Sequence, residues 1–308
     1  MPGAHLGKGM GNQFLNDLIG ADALIQVVDL SGATDENGNE GEGCDPAKDV
    51  KIVENEIASW LASIVKRHIQ QVAKREDGAA ALQDVLAGFK VTAGQIASAA
   101  EENFLSLVKI SWNDDEILSF SRSLLKLNKP MIVAANKADK CKKGAVEGLR
   151  KKLGDVPVVG CSAAIELALM KATKAGAISY TPGADRFRII AAKNDEQMRA
   201  LGYMLKYVEE NGGTGVQKLI DAVAFHLLDN IVVYPVEDEN KLTDHFGNVL
   251  PDAILLKKGS AAVDLAERIH TDLAKGMLYA VDARKKMRLA KDYKLQDGDV
   301  IKIVSARK

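Results

Sequence analysis

The sequence has few cysteines, few aromatic residues and almost no net charge. Its three cysteines, Cys44, Cys141 and Cys161, are far apart and show no CxxC or Cys/His spacing, which argues against a disulfide framework or a zinc site and favours a reducing cytoplasm. Because the formal net charge is -1, contact with nucleic acid or an anionic membrane would need a local basic patch.

The sequence also lacks a long uncharged apolar run, and residues 1–5 show neither the basic nor the apolar segment of a signal peptide. We therefore expect a cytoplasmic protein with no membrane partner. With 308 residues and a hydrophobic fraction of 47%, the chain is globular and can build two or three domains, each with its own core.

The apolar pattern of the first two thirds predicts an α/β fold. Short β-branched runs at 24–29, 131–135 and 156–161 alternate with helical patterns, which is typical of βαβ units and a parallel sheet. A long helical stretch separates the first two strands: Asp45-Pro46 is typical of a helix start, and an amphipathic helical pattern follows at 50–74. Ligands of such sheets bind at the C-terminal ends of the strands.

The last third has a different pattern. A helical stretch at 195–228 is interrupted by glycines at 212–215, and the chain then changes to short strands around one helix, predicted at 262–273. This pattern predicts a compact, mostly β domain of the β-grasp kind. Its strands are predicted at 231–235, 254–257, 277–282 and 300–304.

Polar residues of the form NKxD, Asn136-Lys137-Ala138-Asp139, directly follow the second strand. The Asp139 carboxylate can accept hydrogen bonds from the N1–H and the 2-amino group of guanine, and adenine offers neither donor. Such a site discriminates between bases by about 10⁴-fold. Asn136 can reach the base edge, and the stem of Lys137 can cover one face of the ring.

A second polar segment, Ser162-Ala163-Ala164, follows the third strand, and one of its backbone N–H groups could donate to guanine O6. Because both segments follow neighbouring strands, we predict that they lie side by side at one rim of the sheet. The alternative interpretation is an ordinary strand-to-helix loop in which Asp139 only caps a helix.

A phosphate-binding loop of the form GxxxxGK[ST] is missing from the sequence. The nearest text, Gly3-Ala-His-Leu-Gly7-Lys8-Gly9, is one residue too short between its glycines and lacks the hydroxyl that would hold Mg²⁺. We interpret it as a flexible glycine-rich turn.

Several segments together resemble the YchF/Obg-like GTPases, most closely their archaeal and fungal branch, and the resemblance covers essentially the whole chain. In the first half they are PGAH at 2–5, GN at 11–12, FL at 14–15, DL at 17–18, ADA at 21–23, VVD at 27–29 and NKAD at 136–139. In the second half they are SAA at 162–164, YTPGA at 180–184, TGVQ at 214–217, VYPV at 233–236, ENKLTD at 239–244, FGNVLP at 246–251 and HTDL at 270–273.

This resemblance implies a partial P-loop-type G domain, with its N-terminal strands missing, and a C-terminal TGS domain. The G domain would comprise residues 1–50 and 118–205, and the helical insert within it residues 51–117. Connecting helices would occupy 206–228, and the β-grasp TGS domain 229–308. The ligand implied is GTP or GDP, since Asp139 is present where relatives that prefer ATP differ. The cofactor-binding residues implied are Asn136, Lys137, Asp139, Ser162, Ala163 and Ala164.

The resemblance also implies what should precede this chain. In the family, the phosphate loop, switch I and the DxxG aspartate come before the position of Pro2, so we expect a fragment of a longer reading frame. Mg²⁺ is then expected only with that N-terminal segment. We expect no GTP hydrolysis by this chain alone, and we assign it no catalytic residue.

The function implied is that of a translation-associated GTPase in which the nucleotide controls the relation between G domain and TGS domain. Ribosome or RNA contact is expected through basic residues of the TGS domain, unless these form only a solvated charged hairpin. They are Arg284, Lys285, Lys286, Arg288, Lys291 and Lys294. The alternative function is a non-catalytic RNA- or ribosome-binding protein whose G-domain remnant is a scaffold.

Overall fold

The computed structural model describes residues 17–35, 39–41, 43–192 and 194–306. The chain divides into two compact units, Met1–Val223 and Ala224–Lys308. The glycine-rich text at 3–9 and the shared segments at 2–5, 11–12 and 14–15 lie outside the described residues. Among the helices that are described, none is long and apolar enough to cross a membrane.

A three-stranded parallel sheet, in the order β1-β2-β3, forms the centre of the first unit and confirms the predicted α/β fold. In this sheet Asp29 is level with Asn136, and Ala135 is level with Gly160. The carboxyl ends of all three strands therefore meet at one rim. The strands are β1 (Leu24–Asp29), β2 (Met131–Asn136) and β3 (Val158–Gly160).

In the part of the chain that the structure describes, four α-helices and a short 3₁₀ helix, Ala87–Phe89, lie between β1 and β2. The α-helices are α1 (Pro46–Val72), α2 (Gly78–Val85), α3 (Ala93–Glu102) and α4 (Asp114–Asn128). Helix α1 begins at the predicted start, Asp45-Pro46: the Asp45 side chain caps it and the proline occupies its first turn. Its first turn packs on the sheet through Ala47 and Val50, whereas Leu61 and Val65 belong to the separate core of the helical insert.

The remaining elements of the first unit follow β2. They are α5 (Ala145–Leu153), α6 (Ala163–Lys174), β4 (Ile178–Ser179), β5 (Arg188–Ile189), α7 (Asp195–Asn211) and α8 (Val216–Asp221). Helix α5 crosses from β2 to β3, and α6 begins directly after β3. Buried Ile165 and Leu169 of α6 share a core with Leu201 and Val208 of α7.

The second unit contains a five-stranded mixed sheet in the order β7-β6-β10-β8-β9, in which only β6 and β10 are parallel. Its elements are β6 (Asn230–Pro235), β7 (Ile254–Lys257), α9 (Ala262–Ile269), α10 (Thr271–Gly276), β8 (Met277–Asp282), β9 (Met287–Leu289) and β10 (Val300–Ser305). Val233, Ala280 and Ile301 of the sheet pack against Leu265 and Ala266 of α9.

The single helix predicted at 262–273 is wrong, because the structure has two helices there. His270 adopts an extended conformation that ends α9. Its imidazole Nδ1 then accepts a hydrogen bond from the backbone N–H of Asp272 (3.2 Å) and so begins α10. A ring nitrogen used as a helix cap was not visible in the apolar spacing.

Candidate functional site

The two polar segments lie side by side at the rim of the sheet, as predicted. The Asn136 side-chain oxygen accepts a hydrogen bond from the Ala163 N–H (3.1 Å), and the Ala138 N–H donates to the Cys161 carbonyl (3.1 Å). The parallel pairing of β2 with β3 brings both strand ends to the same level. Asn136 therefore joins the loop after β2 to the loop after β3.

Lys137 turns back toward β1. It adopts a left-handed conformation (φ 61°), and its ammonium lies 2.8 Å from the Asp29 carboxylate. The Cys141 thiol donates to the Lys137 carbonyl (3.4 Å), and the pKa of this thiol is raised by burial and by the negative charges of Asp29 and Asp139. The thiol therefore stays protonated and can serve as this donor.

Asp29 is a site residue that the motif analysis did not select. Its carboxylate is 8% exposed and accepts hydrogen bonds from Ser31, Thr34 and Lys137. Burial alone would raise the pKa of Asp29, but these bonds outweigh burial and hold the pKa well below its usual range. The available signal was its place at the end of β1, level with Asn136.

Asp139 presents an unused acceptor. It lies within a short 3₁₀ turn, Ala138–Lys140, and is half-buried. Its backbone carbonyl accepts from the Tyr203 hydroxyl (3.0 Å), but no donor among the described residues reaches its carboxylate. The 3₁₀ turn starts from Lys137 and α5 from Gly144, in both cases without a side-chain cap, so Asp139 does not act as a helix cap.

The loop at 162–164 presents the complementary donor. The Ser162 hydroxyl caps α6 by accepting from the Ile165 N–H (3.3 Å), and the Ser162 N–H donates to the Thr214 carbonyl (2.9 Å). The Ala163 N–H is bound by Asn136, whereas the described residues provide no acceptor for the N–H of the exposed Ala164. This N–H lies in the first turn of α6, where the helix dipole favours an electron-rich partner.

Comparison with known proteins shows which family contains these segments. The family described as "Obg-like GTPase YGR210-like, G4 motif-containing domain" matches residues 134–238, and the TGS domain family matches residues 246–305. A GTP-binding protein of Methanocaldococcus jannaschii is 48% identical over 100% of this chain and 79% of its own length. The chain belongs to the YchF/Obg-like GTPase family.

Two further GTP-binding proteins are similar to this chain in sequence or structure. A GTP-binding protein of Schizosaccharomyces pombe is 30% identical, with 87% of this chain and 69% of that protein covered. The crystal structure of a GTP-binding protein from Pyrococcus horikoshii superimposes with a TM-score of 0.77 at 39% identity, covering 95% of this chain and 81% of the other. This chain thus contains both the G4-motif domain, with the NKxD segment, and the TGS domain.

In the TGS domain of this Obg-like chain, the basic residues at 284–294 fall into two groups. Lys285 forms an ion pair with Asp282 (3.0 Å), Lys286 donates to the Glu239 carbonyl, and the Arg288 guanidinium lies 3.8 Å from the centre of the Tyr279 ring. The side chains of the other three are exposed, and none of the described residues pairs with them: Arg284, Lys291 and Lys294.

Proposed function

We propose that this chain binds guanine nucleotides by reading the base at the rim of the β1-β2-β3 sheet. The observation that carries the proposal is an unused carboxylate, Asp139, and an unused N–H, Ala164, on two loops that Asn136 joins. A half-buried carboxylate without a protein donor is hydrated by water, and a ligand that offers matching donors can replace that water. Guanine supplies N1–H and the 2-amino group, and its O6 is adjacent to N1, so one base edge matches both loops.

The other members of the motif have supporting roles in this proposal. Asn136 holds the loop 162–164, with Ser162 as the helix cap and Ala163 as the bonded amide. Lys137, held by Asp29, lays its alkyl stem beside the base. The family names and the relatives' names, which refer to GTP, support a guanine nucleotide as the ligand.

The deciding experiment is the substitution Asp139→Asn. An amide presents a donor where guanine also has donors, so we expect the affinity for GDP to fall by about 100-fold or more. Xanthosine diphosphate, which carries a carbonyl at position 2, should bind the variant better than GDP does. Binding of both nucleotides is measured by calorimetry, or by NMR titration if affinities are in the millimolar range. Equal affinities of the variant for both bases would contradict the proposal.

We assign base recognition, and no hydrolytic step, to the described residues. The sequence contains no GxxxxGK[ST] loop of the kind that holds a triphosphate. Among the described residues, no group of three His, Cys, Asp or Glu side chains is placed to hold a metal ion, so we derive no step through Mg²⁺.

We propose the following domain boundaries: a G-domain part at 1–50 and 118–205, a helical insert at 51–117, connecting helices at 206–228, and the TGS domain at 229–308. The TGS match at 246–305 and the division of the chain at Val223 support the last of these boundaries. All three cysteines are free thiols, which supports action in a reducing cytoplasm.

The alternative is a non-catalytic RNA- or ribosome-binding TGS protein. The exposed side chains of Arg284, Lys291 and Lys294 favour it, since unpaired cations can neutralise phosphates. The two functions are separated by titrating the intact chain with GTP, GDP and a single-stranded RNA. No binding of either nucleotide, with RNA binding retained, would favour the alternative.

A further inference from the structure

The turn at 212–215, between α7 and α8, lies directly against the end of β3. The Thr214 carbonyl accepts the Ser162 N–H (2.9 Å). Gly215 adopts a φ of +86°, and a Cβ added there would lie 2.1 Å from the Gly160 carbonyl oxygen and 2.9 Å from the Cys161 Cα. Both neighbours are backbone atoms, which cannot move aside as a flexible side chain can. Only glycine permits this approach.

A buried carboxylate holds the same turn from its side chain. Glu166, in the first turn of α6, is 7% exposed, and its Oε2 accepts hydrogen bonds from the Thr214 hydroxyl and from the Tyr180 hydroxyl (2.9 Å). Burial, followed by this bond, raises the pKa of Tyr180, so the phenol remains a donor. A buried charge needs such partners, and losing one leaves the charge undersolvated.

These contacts all converge on the loop at 162–164. The Thr214 carbonyl bonds Ser162, the first residue of this loop, and Gly215 packs against the two residues before the loop. Glu166 bonds the helix that follows the loop, α6, to the same turn. We propose that Glu166, Thr214 and Gly215 are positioning residues of the guanine site, which hold the loop where the Ala164 N–H meets O6. This inference rests on the proposed function.

The proposal predicts that the two halves of base recognition can be separated. Asp139 reads N1–H and the 2-amino group, whereas the braced loop reads O6. Two probes divide these interactions: inosine diphosphate lacks only the 2-amino group, and 6-thioguanosine diphosphate replaces only O6 by sulfur, a weak acceptor. A defect in the brace should change discrimination at position 6 and leave discrimination at position 2 intact.

The informative variants are Gly215→Ala and Thr214→Val. The first pushes the turn away from β3, and the second removes the hydroxyl that Glu166 binds. Gly176→Ala is the control for the first, because Gly176 also has a positive φ (+72°) but its Cβ would meet nothing within 4 Å. Thr173→Val is the control for the second, because the Thr173 hydroxyl bonds only the Leu169 carbonyl of its own helix (2.9 Å). Thr214→Ser, which keeps the hydroxyl, should rescue the site.

The experiment is an NMR or calorimetric titration of each intact variant with GDP and both probes, after circular dichroism has shown which variants fold. We expect the wild-type chain to prefer GDP over the 6-thio analogue by about tenfold, the worth of one well-placed hydrogen bond. Gly215→Ala and Thr214→Val should reduce this preference to about twofold or less, with the preference of GDP over IDP unchanged. Both controls and Thr214→Ser should behave as wild type.

Several outcomes would overturn the inference. It fails if folded Thr214→Val keeps the full preference for GDP over the 6-thio analogue, if the controls lose that preference equally, or if both preferences fall together. If Gly215→Ala does not fold, Thr214→Val decides alone. If the wild-type chain does not bind GDP at all, the proposed function itself fails, so the two failures can be told apart.

Discussion

At the residue scale, three carboxylates near one rim differ because of their surroundings. Asp29 accepts three side-chain donors and is strongly ionised. Glu166 is buried and accepts two hydroxyls. Asp139 is half-buried and accepts none from the described residues. The first two hold protein segments in place, and only the third is free to receive a ligand.

We predict that Asp29→Asn destabilises the first unit in a pH-dependent way. The folded-state pKa of Asp29 is lowered, so its stabilisation is fully present above the ordinary carboxyl pKa of about 4 and is lost as the pH falls toward the folded value. At pH 7 we expect the variant to lose about 1–3 kcal/mol in the free energy of unfolding relative to wild type. This difference should become smaller below pH ~4.

Urea unfolding at pH 7 and pH 3 measures this difference. Both tryptophans, Trp60 and Trp112, lie in the first unit, so their fluorescence reports on it. Asp84→Asn is the control, because Asp84 pairs with Arg75 on the surface with 70% of its side chain exposed, and such pairs contribute little. An equal loss for Asp29→Asn at both pH values would contradict the assignment.

At the element scale, α1 joins two cores within one continuous helix. The proposed boundaries of the insert, at residues 51 and 117, fall inside α1 and α4, so continuous helices join the insert to the part of the unit that holds the sheet. Within the insert, the start of α2 packs against the loop before α4. Gly78 lies at that point: its Cβ would be 2.2 Å from the Leu107 carbonyl oxygen.

We predict that Gly78→Ala destabilises the insert by about 2 kcal/mol, because a backbone carbonyl must shift to admit the methyl group. Gly94→Ala is the matched control in the first turn of α3. Its Cβ would meet nothing closer than the Thr92 hydroxyl at 3.8 Å, so we expect a gain of up to about 1 kcal/mol from alanine's higher helix propensity. Tryptophan fluorescence during urea unfolding measures both, and similar effects of the two substitutions would count against this packing.

Strand β1 forms one edge of the sheet among the described strands, and Val27 on it is 64% exposed. A strand edge with exposed apolar surface is a known route to association. We expect Val27→Lys to reduce light scattering at high protein concentration without lowering stability. Leu127→Lys, at an exposed position on α4, should have little effect. Unchanged scattering in Val27→Lys would show that this edge does not drive association.

At the scale of the whole molecule, the two units carry different chemistry. The first unit carries the groups that we propose to read the base, and the TGS unit exposes Arg284, Lys291 and Lys294, with which none of the described residues pairs. We predict that changing all three to glutamine weakens binding to single-stranded RNA. The slope of log K against log salt concentration should become less steep by about 2, because each neutralised phosphate of a single strand contributes about 0.7 to the magnitude of this slope.

The matched control changes the three engaged cations, Lys285, Lys286 and Arg288, to glutamine. It removes the same charge, but these side chains already interact with Asp282, Glu239 and Tyr279. Filter binding or fluorescence anisotropy with single-stranded RNA at several salt concentrations measures both variants. Equal changes in slope would mean that only the total charge of the unit matters, and not these three positions.

The sequence by itself determined the type of fold and the candidate ligand. Strands β1, β2 and β7 were predicted to within one residue, because a short apolar run between polar or turn residues is a local pattern. The NKxD segment and the segment at 162–164 were found because each directly follows such a strand, and the structure confirms that they are adjacent. Ligand binding by these residues stays a prediction.

Tertiary structure alone decided which groups of the rim are free. Lys137 lies 108 residues from its partner Asp29, and Thr214 lies 48 residues from its partner Glu166, so no spacing rule could pair them. The same holds for Gly215, whose need for glycine arises from the Gly160 carbonyl of another element. Hydrogen bonds between distant segments depend on how strands and helices pack. This packing leaves the Asp139 carboxylate and the Ala164 N–H without partners among the described residues.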